Sequence, residues 1–346
     1  MDATPPKMLV FDEDGDTLII LPYITSASEA ADDQKSDPNV EQNGEKRPAE
    51  DALEKNEVRM KVSKKHMMLA SRRAQKIFLG PWKETESRGT DGLHHWLFEP
   101  VFTPEAFEIV LNIIHGQTRG VPDQIGLATL ADIAALVDDL QCEDAVWFIV
   151  KSWIRLLQEP LPHTICEDLV RWILISSVFD EPSIFQDCTK VAIQSTCKQL
   201  DTTGLPIRPS IIDGIEVERI KILDALMVDL EDQRDGLSRG ELGCNLECRS
   251  SYLGALIQGM HSTGILPILD VNSPTNDPYE APHRGLRVSS AMKAIREMPF
   301  PDVYITNIYS SRPSFHTCNL RGSLWQHLDE VEAEIMGLNL NEFMPK

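Results

Sequence analysis

Long apolar runs are missing from this chain of 346 residues. A helix that crosses a bilayer needs roughly 20 consecutive apolar residues, and the most apolar stretch, Trp172 to Phe179, is closed by Arg171 and Asp180. No membrane partner is expected. The opening residues, MDATPPKM, carry neither the basic nor the apolar part of a secretory signal. Cysteine is sparse, and its seven copies are odd in number and widely spaced, as suits reduced thiols in the cytoplasm or nucleus and not a disulfide framework. Basic residues are few: 33 Lys and Arg stand against 54 Asp and Glu, a net charge of -21. Such a balance opposes direct binding to nucleic acid, whose phosphates require clustered cations. Lys46, Arg47 and Pro48 are too short a basic run for a nuclear import signal. The chain also lacks a Gly-rich phosphate loop, a Gly-x-Ser-x-Gly elbow, a Cys-x-x-Cys pair and an HExxH motif. Nothing among these calls for a catalytic cofactor.

The length leaves room for two or three domains. Near the start, Thr17 to Leu21 and Val58 to Val62 have strand length, and Val58, Met60 and Val62 alternate with Arg59 and Lys61 as a half-buried strand requires. From Ser71 onward, Ala74, Ile77 and Phe78 interleave with Arg72, Arg73 and Lys76 as on an amphipathic helix, which Gly80 and Pro81 end. Trp96 to Phe98 reads as a further strand. Thr103, Pro104 and Glu105 form a helix start, with a hydroxyl cap and proline in the first turn. Phe107, Val110, Leu111 and Ile114 follow at helical spacing, then Leu127, Leu130, Ala131, Ala134 and Val137, then Val146, Phe148, Ile149, Trp153, Ile154 and Leu157. Between the first two strands, Ile24 to Glu57 has almost no large apolar residues. It cannot bury enough surface to offset the entropy of ordering and reads as a disordered hairpin insertion.

The segments DGDTLIILP at Asp14 to Pro22 and VRMKVSKKHMMLASRRAQKIFLGPWKE at Val58 to Glu84 resemble the opening of a BTB (POZ) domain. The matching positions are Asp16, Leu18, Val62, His66, Leu69, Ala70 and Ser71, with Trp82 as a further family-like residue. Ala74 stands where the family usually carries Phe, and Phe78 or Trp82 is expected to fill that volume. The resemblance covers about residues 14–158. It implies an α+β fold in which a small sheet packs with helices, over residues 1–158 with the insertion at about 24–57. It further implies a protein-protein interaction module and not an enzyme, one that self-associates as a homodimer and recruits a partner protein. Some members of that family serve as substrate adaptors for a cullin scaffold of a ubiquitin ligase, and others as transcription-linked regulators acting through protein partners. Both roles are carried forward as expectations.

Residues 159–239 read as a helical extension. Thr164 with Glu167, and Ser210 with Asp213, have capping-box spacing, each ahead of an apolar face. The first helix is expected to carry Ile165, Leu169, Trp172, Ile173 and Ser176; the next, after Pro182, Ile184, Phe185, Cys188, Val191 and Ala192; the third Ile212, Ile215, Leu223, Leu226 and Leu230.

Residues 240–346 read as a small C-terminal domain holding the one constellation that suits a metal. Cys244 and Cys248 lie four apart, His261 follows as an alternate, and His316 and Cys318 form a His-x-Cys pair. Thiolates and imidazoles in that number suit tetrahedral zinc of the structural kind. This segment also resembles the C-terminal part of fungal BTB-domain proteins with a similar Cys-x3-Cys, a later His, and His-x-Cys. The other reading is packing. Tyr252, Leu256 and Met260 continue the four-residue row from Cys244 and Cys248, so both cysteines would line one buried helix face as small hydrophobes. A zinc-dependent enzyme is disfavoured because no general base accompanies the ligands.

Three features are expected to be structural. Asp12, Asp14 and Asp16 mimic a calcium loop but lack its Gly and Glu, and read as the turn before the first strand. His94 and His95 are expected at the surface. Leu324, Leu328, Val331 and Ile335 form an amphipathic row ended by Gly337.

Overall fold

A computed structural model describes residues 7–25, 54–80, 89–262, 285–300, 304–305, 314–315, 318 and 320–344. The chain is of the mixed α+β class and divides into two compact units, Met1–Pro160 and Leu161–Lys346.

The first unit is built on a sheet of β1 (Lys7–Val10), β2 (Thr17–Thr25), β3 (Glu54–Val62) and β4 (His94–Leu97), in the order β1-β3-β2-β4. β2 and β3 pair antiparallel, while β1 runs parallel to β3 and β4 parallel to β2. Register places Met60, Ile19 and Trp96 in one row across the sheet, and Val62, Thr17 and His94 in the next. All six are buried. Because side chains alternate with period two, the intervening Arg59, Lys61 and Leu97 fall on the wetter face. The Asp-rich turn is as expected: Asp12 accepts the Asp14 amide on its carboxylate at 3.0 Å and the Gly15 amide on its carbonyl at 3.0 Å.

Helices α1 (Lys64–Ala70), α2 (Arg72–Leu79), α3 (Pro104–Ile114), α4 (Leu127–Leu140) and α5 (Glu143–Leu157) complete the unit. Thr103 caps α3 through its hydroxyl with Pro104 in the first turn, as read from the sequence. Ala74 is fully buried, and Phe78, one turn further along α2, sets its ring edge-on against Trp96 at 5.4 Å. Trp82 lies outside the described residues.

Several expectations are corrected here. The ladder between β2 and β3 continues through Ile24↔Lys55 and Thr25↔Glu54, so both ends of the segment expected to be disordered are paired strand; residues 26–53 lie outside the described residues. Extended strands need only one satisfied partner per backbone group, and composition is a poor guide to where that pairing stops. β1 was not anticipated from the sequence. His94 is buried in β4 and not at the surface, because its place in the register points it, with Thr17 and Val62, into the core. Phe148 is 78% exposed although it was expected in the helical core. On α5 the inward row is Val146, Val150, Trp153 and Ile154, and Phe148 falls on the opposite side.

The second unit is helical: α6 (Glu167–Val178), α7 (Pro182–Ser195), α8 (Pro209–Arg239), α9 (Leu246–Ser262), α10 (Val288–Arg296) and α11 (Leu320–Glu334), with a two-residue strand pair at Tyr304–Ile305 and Ser314–Phe315. Every residue of α6 from Trp172 to Val178 is buried, which makes it the central helix. Neither expected capping box forms. Cys166 precedes α6 without a side-chain cap, Ile165 lies outside the helix and is 41% exposed, and α8 opens at Pro209, so Ser210 is already inside its first turn. Proline at the first position supplies the helical φ that a capping hydroxyl would otherwise help to set. α8 ends in Gly240 at φ +81, and α9 packs back against it.

Among the described residues, one charged side chain is completely enclosed. Arg219 on α8 is held by both carboxylate oxygens of Glu216, at 2.6 and 2.9 Å, and donates to the Leu286 carbonyl at 2.8 Å. Past α11 the chain closes on α7: Gly337 sits where a Cβ would meet the Gln186 carbonyl at 1.7 Å, and the Leu338 amide donates to the Thr189 hydroxyl at 2.9 Å. Ile335, Leu338 and Leu340 are buried there.

Candidate functional site

Two sites, one in each unit, collect most of the residues singled out by sequence. In the second, the Sγ atoms of Cys244, Cys248 and Cys318 lie within 4.8 Å of one another. Their assembly follows from local structure. Gly240 ends α8 in the left-handed region, and Gly243 adopts φ +83 with its Cα facing the Arg249 side chain so closely that a Cβ would lie 2.7 Å from Cγ. The Asn245 carboxamide oxygen then accepts the Cys248 amide at 2.8 Å and caps the start of α9. Cys244 is therefore in the turn and exposed, while Cys248 is on the helix and buried. This divides the row expected on one helix face: Cys248, Tyr252, Leu256 and Met260 share the buried side of α9, and Cys244 does not belong to it. Cys318 arrives from the residue pair preceding α11.

Loss of solvation raises the Cys244 thiol, with the Cys318 thiol next and the Cys248 thiol after it. The Cys248 thiol is also raised by lost solvation, against a hydrogen bond from its backbone surroundings that favours the thiolate. Three sulfurs so close resist ionising together, and a bound cation removes that conflict. Zinc bonds thiolate at about 2.3 Å, so tetrahedral ligation places sulfurs roughly 3.8 Å apart, a separation compatible with three sulfurs that all lie within 4.8 Å of one another. The donor set thus fits a soft divalent ion. His261, exposed at the end of α9, does not join the three sulfurs, and His316 lies outside the described residues.

The site of the first unit is a groove of about 510 Å³ between the α1–α2 junction, the end of α3 and the start of α5, where His66, Leu69, Ala70 and Ser71 meet Ile113, Ile114, Cys142 and Ala145. Asp16 accepts the Lys64 amide at 2.8 Å and so ties the sheet to α1. Val62 is buried at the end of β3. Ser71 is buried, accepts the Ala74 amide at 2.9 Å as the cap of α2, and donates to the Leu140 carbonyl at 2.5 Å. His66 is exposed, its ring 5.2 Å from that of His115. His115 was not singled out as functional. Its Nε2 accepts the Ser63 amide at 3.1 Å and its Nδ1 donates to the Leu111 carbonyl at 2.9 Å, which requires the neutral Nδ1–H tautomer. Burial lowers its pKa, against the favourable Leu111 carbonyl.

Large apolar side chains are exposed on the first unit. Leu69 is 86% exposed on the groove wall, and Phe148 stands one turn along α5 from Ala145, beside Trp147 at 50%. No helix among the described residues is long and apolar enough to cross a membrane. Compared with family models, curated proteins and solved structures, the chain matches none.

Proposed function

We propose that the chain is a noncatalytic interaction protein whose first unit is BTB-like, self-associates and recruits a protein partner. The observation that carries this reading is the exposure of large apolar side chains on the first unit, Leu69 on the groove wall and Trp147 and Phe148 on α5, since exposed apolar surface marks association sites. The resemblance is supported by the way its residues meet: Asp16 ties the start of β2 to α1, and Ser71 joins α2 to the end of α4. A cullin scaffold is the partner class for the adaptor role, with the second unit as the substrate-reading side. A regulator acting on transcription through protein partners is the rival role. Mass spectrometry of proteins co-purified with the tagged full-length chain separates them. Recovery of a cullin, lost when Leu69 and Phe148 are made charged, supports the adaptor; partners that persist unchanged in that variant overturn the groove as the contact surface.

For the second unit we read the three sulfurs as holding a structural zinc ion. The carrying observation is their spacing within 4.8 Å, reached from positions far apart in sequence. Metal analysis of the reduced, purified chain tests it, and absence of stoichiometric zinc after reconstitution sinks it.

A further inference from the structure

We propose that the ion at Cys244, Cys248 and Cys318 is the cross-link that orders α11, fastening its start to the turn between α8 and α9. This rests on the zinc reading above and extends it from occupancy to consequence.

Past its C-terminal end α11 is held by buried Ile335, Leu338 and Leu340, but its own length packs lightly. Of its 15 residues only Leu324 and Leu328 are buried. Its polar contacts with other helices include His327 to Asp229 of α8 at 2.5 Å, and Asp329 and Glu332 to Arg296 of α10 at 2.6 and 2.8 Å. Those carboxylates are more than half exposed toward Arg296, and ion pairs in water contribute little. An isolated helix of this length is marginal because nucleation is unfavourable. With its C-terminal end fixed on α7, the end that remains to be placed is its first turn.

Cys318 is two residues before that first turn and 70 positions after Cys248. A bond between the two closes a long loop, and a cross-link removes more freedom from the open chain as the loop grows. The receiving side is rigid on its own account: Gly243 holds its left-handed turn, Asn245 caps α9 onto Cys248, and Arg249 donates back to the Gly240 carbonyl at 3.2 Å. A preformed pair of sulfurs thus waits at the turn, and Cys318 completes it. As each Zn–S bond forms, the Sγ–H proton passes to solvent, so three protons leave for one ion and acid opposes binding. When the ion is absent, neutral thiols hold one another only by weak S–H···S contacts, and the start of α11 is released.

The experiment uses the full-length reduced chain, zinc itself as the probe, and amide hydrogen exchange read by mass spectrometry with and without the ion. Expected is one zinc per chain, and exchange across residues 320–334 at least tenfold faster after the ion is removed, with peptides over residues 17–21 and 58–62 unchanged. Cys244→Ala, an exposed position that leaves no core cavity, is expected to weaken zinc binding at least tenfold and reproduce the fast exchange. Stoichiometric zinc with unchanged exchange in α11 overturns the cross-link while the zinc reading stands. Failure of the chain to take up zinc overturns both.

Discussion

The hydroxyl of Ser71 donates to the carbonyl of Leu140, 69 residues further along, at 2.5 Å while it accepts the amide of Ala74 at 2.9 Å. One side chain thereby closes the start of α2 and satisfies the last turn of α4, and both bonds are buried.

Replacement Ser71→Ala removes a helix cap, worth about 1 kcal/mol, and strands a buried carbonyl at about 1–3 kcal/mol. The expected loss for the first unit is about 2–4 kcal/mol. Urea unfolding of the full chain, followed by exchange at residues 17–21 and 58–62, checks it; a loss below about 1 kcal/mol would show that water replaces the hydroxyl.

Phe148→Glu tests the exposed face of α5 as an association surface. The side chain is 78% exposed, so folding stability should change by no more than about 0.5 kcal/mol. Sedimentation at micromolar concentration should give a dimer for the natural chain and a monomer for the variant. A natural chain that is already monomeric removes the self-association proposal.

His115 should resist protonation. Its folded pKa is lowered by burial, so the stability it contributes is complete above the unfolded value near 6.5 and is lost as pH falls through the lower folded value. Nitrogen NMR should find the Nδ1–H tautomer at pH 7, and His115→Ala should flatten the acid limb of the stability curve below pH 6.5. A titration midpoint at or above 6.5 would contradict the buried hydrogen-bonded ring.

Cys142 and Cys188 should be inert in the folded chain. Burial, helped by Asp139 for the first and Asp187 for the second, pushes each thiol up to about 12. Thiolate is the reactive form, and at pH 8 only about one part in ten thousand of such a group is ionised. Alkylation at pH 8 should therefore label the exposed Cys166 and spare these two until the chain unfolds. Because both folded values are raised, their contribution to stability is complete below about pH 9 and declines as pH climbs toward 12.

The candidate site was partly readable in advance. Cys244, Cys248 and Cys318 carry recognisable ligand spacing, and the three sulfurs do converge. What spacing left open was whether Cys244 belongs to the helix, and Asn245 as the cap of α9 answers that it does not. The groove was less legible. Ser71 and His66 were picked out by resemblance, but Ile113, Cys142 and Ala145 join them only through packing of α3 and α5.

The α+β class was implied by the resemblance, while local chemistry alone determined the alternating faces of β2 and β3, the cap at Thr103, and the apolar rows of α7, α8 and α11. Each depends on neighbours within a few residues, where periodicity and hydroxyl placement are physical causes. Tertiary structure alone decided that His94 is buried, that Phe148 is exposed, that α8 and α9 share one unit, and that Cys318 reaches the turn of Cys244. Strand register and helix rotation set those outcomes, and both are fixed by surfaces contributed from distant parts of the chain.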